Sequence, residues 1–155
     1  MAEKGYSDEL QRALARSDAG KMIRQIDDYA DYFADGAGDW PDEYSDDFDE
    51  IVRCHHDEPE KALAYVVIAA SRSDDARFLG YMACGPLEDV LRDPPADLLD
   101  RIVAEARKSA RFRWLLSNPY KVAIAESAWE AIEKYRITGP HEEPADDTLP
   151  PRRVS

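Results

Sequence analysis

The chain has 155 residues with 44% hydrophobic content, enough for one domain that buries about two-thirds of its unfolded surface and too apolar for global disorder. Its 33 acidic residues against 20 basic ones give a formal charge of -13, which argues against direct binding of DNA or RNA, since that relies on Lys and Arg displacing counterions from phosphates. No apolar run approaches the roughly 20 residues of a membrane span, and the N-terminus lacks the apolar core of a secretory signal, so a cytoplasmic protein is expected.

Helical periodicity runs through almost the whole chain. Ser7–Ser17 predicts a first helix, with Leu10 and Leu14 on one face. Ser17 or Asp18 is positioned to cap a second, in which Met22, Ile23, Ile26, Tyr29, Ala30 and Phe33 form the apolar stripe. Asp27, Asp31 and Asp35 lie four apart on a separate stripe, with Asp28 alongside. Gly36–Pro41 reads as a turn, with Asp39 as cap. A third helix is expected from about Asp42 to His55, burying Tyr44, Phe48, Ile51 and Val52 and turning its carboxylates outward. The next helix, opening at Asp57–Pro59, is apolar nearly all round at Ala62–Ala69 and should be central. Asp74–Cys84 predicts a fifth helix, closed by Gly85-Pro86, after which Leu87–Leu91 forms a short one. Later helices are marked by Leu98, Leu99, Ile102, Val103 and Ala106; by Ala110–Leu116; and by Val122, Ala125, Trp129 and Ile132. Residues 138–155 hold four prolines and four acids and no aromatic residue, and read as a flexible tail.

The expected architecture is therefore all-α: one domain over residues 1–137, of eight or nine short helices in antiparallel pairs, as irregular helical-hairpin stacking. The predicted core comprises Leu63, Val66, Val67, Ile68, Phe78 and Leu87, with Leu91, Ile102, Val103, Trp129 and Ile132.

Charge is concentrated rather than spread. Eleven carboxylates and no basic residue lie between Arg24 and Arg53, interleaved with Tyr29, Tyr32, Phe33, Trp40, Tyr44 and Phe48. Such a segment attracts cations and basic proteins and repels nucleic acid. Its candidate partner-binding residues are Asp28, Asp31, Asp35, Asp39, Trp40, Asp42, Glu43, Asp46, Asp47 and Glu50. Opposite them in sequence stands a basic group, Arg101, Arg107, Lys108, Arg111, Arg113 and Lys121.

Other constellations are weak. Cys54-His55-His56-Asp57-Glu58 offers metal-ligating types, but adjacent helical residues point about 100° apart and cannot all face one ion. The Asp35–Asp47 stretch lacks the alternating order of a calcium loop. No serine-nucleophile elbow and no glycine-rich phosphate loop is present, so neither a catalytic residue nor a cofactor is assigned.

The run Gly80–Leu91 contains Gly85-Pro86-Leu87-Glu88-Asp89 followed by two aliphatics. It resembles a motif of an uncharacterised family of small helical bacterial proteins, with looser similarity through residues 98–115. The resemblance covers residues 60–116, excludes the acidic segment, and implies a small helical bacterial or phage-borne domain. It carries over no catalytic residue. In physical terms Gly85 allows a sharp exit, Pro86 fits a first helical turn, and Glu88 and Asp89 complement the helix dipole.

The function expected from these features is a non-enzymatic interaction protein whose acidic-aromatic face covers a basic protein surface. Immunity proteins, antitoxins and phage inhibitors that imitate nucleic-acid charge act in this way. Self-assembly through opposed acidic and basic ends is one alternative, and homo-oligomers are compatible with it. A small enzyme or metal-dependent protein using the carboxylate cluster is the other.

Overall fold

The structure, a computed structural model, describes residues 8–34 and 45–152. Among these residues the protein is all-α. Helices α1 (Asp8–Leu14), α2 (Ala19–Ala34) and α3 (Ser45–Arg53) precede the central α4 (Pro59–Arg72). Then follow α5 (Ala76–Met82), α6 (Glu88–Leu91), α7 (Ala96–Lys108), α8 (Ala110–Leu116) and α9 (Glu126–Ile132). The expected Gly36–Pro41 turn and the start of the third helix lie outside the described residues.

The sequence explains why α4 is the hub. Ten consecutive side chains, Lys61–Ala70, are buried, so no face of this helix is left for water. Pro59 occupies its first turn, where a missing N–H costs nothing, and α1, α2, α3, α5, α6 and α8 pack around it. Capping fixes where neighbouring helices begin. Asp75, one residue beyond the expected start, accepts from the amides of Arg77 and Phe78, and Ser109 accepts from Phe112. Every predicted core residue except the half-buried Val103 is buried. Val122, expected on the last helix, instead lies in a 3₁₀ turn (residues 121–123) and is 83% exposed.

Two expectations change more substantially. Gly85-Pro86 does not close α5. The chain passes from α5 to α6 through a π-helical turn, Ala83–Leu87, in which the Glu88 amide reaches back to the Ala83 carbonyl. Pro86 has no N–H and its ring would crowd the carbonyl of Met82 in a regular α-helix; widening the turn accommodates it. The tail is also placed differently. Residues 138–152 lie against the body: the Lys121 amide donates to Pro140, the Trp114 indole to Thr148, and the Arg111 guanidinium to Pro150, while Leu149 packs on the core. Composition points to a segment without its own core, but not to the groove that receives it.

Candidate functional site

The acidic segment is carried by α2 and α3. Each helix has one strongly apolar side, which sets the remaining side outward. Beneath the face, Tyr29 stacks on Phe48 with ring centroids 4.3 Å apart, and Phe33 and Phe78 meet the Tyr29 ring edge-on. Tyr32 is also buried and belongs to this core rather than to the surface. Tyr81, 40% exposed, reaches in from α5 to within 5.0 Å of the Phe33 ring. The sequence reading does not assign Tyr81 to this edge, because its partner lies 48 positions away.

Of the ten candidate residues, Asp35, Asp39, Trp40, Asp42 and Glu43 lie outside the described residues, as does Tyr44. The other five divide in two. Asp31 and Asp46 are exposed and Asp28 is half-buried, and among the described residues no cation stands within ion-pair distance of any of them. Asp47 and Glu50 are wired inward. The buried Gln25 donates through Nε2 to Glu50 at 2.8 Å and to Asp47 at 3.3 Å, and its Oε1 accepts from the Tyr65 hydroxyl at 2.6 Å. Lys61 donates to Glu50 from the start of α4, and Lys21 approaches the same carboxylate at 3.5 Å. The Lys61 hydrogen bond holds the Glu50 carboxyl below its ordinary range against the opposing effect of burial. Asp27, outside the candidate set, is gripped by both arms of the Arg72 guanidinium at 2.8 and 2.7 Å.

Each member of the opposed basic group is engaged within the fold, Arg107, Lys108 and Lys121 at its surface. Arg101 bridges Glu9 and Glu60, Lys108 pairs with Asp8, and Arg111 is buried against Asp74. Arg113 donates to the Ala106 carbonyl, Arg107 to the Tyr135 hydroxyl, and Lys121 sits over the Trp129 ring. These contacts join the basic group to the fold instead of collecting it into a free patch.

The motif around the π turn has its own chemistry. Glu88 is mostly shielded, and burial raises its carboxyl above the ordinary range despite Arg92 at 3.5 Å. Leu91 accepts from the Ala125 amide, tying the turn to the segment before α9. Cys54 and Cys84 are half-buried free thiols, pushed up by burial to about 12 and about 11, so both stay protonated near neutrality. Among the described residues no group of three or more His, Cys, Asp or Glu is arranged to hold a metal ion, and no helix is long and apolar enough to cross a membrane.

No curated protein and no solved structure matches this chain. A family model matches residues 39–139, from the acidic segment through α3–α9; the resemblance read from the sequence was narrower and left that segment out. Helices α1 and α2 and residues 140–152 fall outside the match. Since the match spans about two-thirds of the sequence, this chain belongs to the family of unknown function DUF6869.

Proposed function

We propose that this protein is a non-enzymatic acidic interaction module that covers a basic surface on a protein partner. Its mode of action is that of immunity proteins, antitoxins and phage inhibitors that imitate nucleic-acid charge. The observation that carries this reading is the division of the carboxylates on α2 and α3. Asp27 and Glu50 are neutralised within the fold, while Asp28, Asp31 and Asp46 have no cation of their own among the described residues. Carboxylates without an internal cation steer a cationic partner at long range and lose little when they pair with it. The exposed edge of Tyr81, packed on Phe33 and Tyr29, supplies an aromatic contact that a basic side chain can cover. The internal engagement of Arg101, Lys108 and Arg111 favours this reading over head-to-tail self-assembly, which needs a free basic end.

The test is affinity capture from the native host lysate at low and high salt, with the wild-type chain and an Asp28→Asn/Asp31→Asn/Asp46→Asn variant in parallel. A basic protein held at low salt and released at high salt is expected, with capture by the variant weakened about tenfold or more. The variant should unfold close to the wild-type temperature, because relief of like-charge repulsion offsets the loss of the Asp46 carboxylate from the first turn of α3. Equal capture by both chains would remove the face from the mechanism.

A further inference from the structure

Residues 148–152 cross a groove between α5 and α8, and every tether that holds them comes from a side chain of the body. The Trp114 indole N–H donates to the Thr148 hydroxyl at 3.1 Å. Leu149 packs against the core with φ -61° and ψ 118°, close to polyproline II geometry. The Arg111 Nε–H donates to the Pro150 carbonyl at 2.9 Å, and Asp74 accepts both arms of the Arg152 guanidinium at 3.0 and 2.9 Å. Among the described residues no backbone N–H of 148–152 bonds to the body: that of Thr148 turns back to Ala145, and Pro150 and Pro151 have none.

The receiving groups are fixed without the segment. Trp114 belongs to the core through α8, and Arg111 is locked by the carbonyls of Ala70 and Ser73 at 2.9 and 2.8 Å and by Asp74 at 2.9 Å. An indole donor for a hydroxyl, an apolar seat, a guanidinium donor for a proline carbonyl and a carboxylate for the Arg152 cation follow one another along a peptide that leaves a 3₁₀ turn (Asp146–Thr148) and is extended at Leu149. This is the arrangement by which proline-containing segments are recognised, through preformed side chains reading a backbone that needs little ordering.

We propose that this groove is a recognition site for a Thr-Leu-Pro-Pro-Arg segment, and that the chain's own residues 148–152 occupy it as an exchangeable ligand. A copy of the segment supplied in trans competes for the same four contacts. In the intact chain the tethered segment acts at millimolar effective concentration and holds the groove closed to competitors.

The experiment uses the full chain carrying Leu149→Ala/Arg152→Ala, which weakens the segment and leaves the groove untouched, with a fluorescent peptide Ala-Asp-Asp-Thr-Leu-Pro-Pro-Arg as probe. The peptide is expected to bind this variant at least about tenfold more tightly than the unaltered chain, and Asp74→Asn in the same background should abolish the gain. A folded variant that fails to bind the peptide would overturn the proposal. Should the variant not fold, hydrogen exchange on the unaltered chain decides. Amides of residues 146–149 and the Trp114 indole are expected to exchange at least about tenfold faster than amides in α4. Equal protection, lost only on global unfolding, would make the segment an integral part of the core and sink the idea.

Discussion

Glu50 shows how a surface charge becomes an internal one. Its carboxylate faces Lys61, a side chain only 11% exposed, and accepts from Gln25, whose other end receives the Tyr65 hydroxyl. Removing the charge leaves Lys61 with Asp18 at 3.7 Å as its remaining partner. Glu50→Gln is therefore expected to cost about 1 kcal/mol in chemical denaturation at pH 7, a modest figure because the outer edge of the pair meets water. The folded carboxyl lies below its unfolded value, so its contribution is present above pH ~4.3 and disappears as pH falls through the folded value. Wild type and variant should accordingly converge in stability at about pH 2–3; a difference that persists there would assign the effect to packing rather than charge. None of this is legible in the sequence. Glu50 and Asp46 look alike on paper, and only the position of Lys61, eleven residues on and across a turn, separates them.

At the scale of elements, much of the fold can be read from periodicity because burial and helical spacing agree. The apolar run of α4 and the Ala110–Leu116 helix come out as expected, since a helix with no polar face has only the centre to occupy. The π turn does not, because Gly85-Pro86 is written like a break. A glycine at a helix exit is chosen for positive φ, but Gly85 does not have one, and a Cβ added there meets nothing within 4 Å. Gly85→Ala is thus expected to stabilise the protein by about 0.4–1 kcal/mol, by narrowing the unfolded ensemble. A loss of thermal stability in that variant would show that the turn needs glycine after all. The docked segment 138–152 was hidden for a different reason. Its contacts reach back to Asp74, Arg111 and Trp114, and local composition carries no record of them.

For the whole molecule, two electrostatic effects of opposite sign set the response to pH. A chain of net charge -13 with a pI near 4.6 repels itself at neutrality, and burial of Glu88 in its charged form adds to the cost. Both penalties ease on mild acidification. Below that, Asp18, Glu50 and Asp74, each held low first by a hydrogen bond from a cation, must be protonated and give up their contribution. Thermal midpoints at fixed ionic strength should therefore peak at about pH 5 and fall on both sides, with the alkaline deficit shrinking in high salt. A monotonic rise from pH 3 to pH 8 would show that self-repulsion is too weak to matter. Arg111 adds a temporal dimension to the same architecture. Its guanidinium joins the end of α4, the start of the α5 connection and, through Pro150, the docked segment 148–152, and it does so from the first turn of α8. Residues 148–152 come after all of these helices in the chain, and their seat exists only once helices from three earlier stretches have met. The segment thus acts as a seal on assembly: a copy misfolded anywhere among those helices leaves residues 148–152 undocked, and an undocked stretch is the feature a protease engages first.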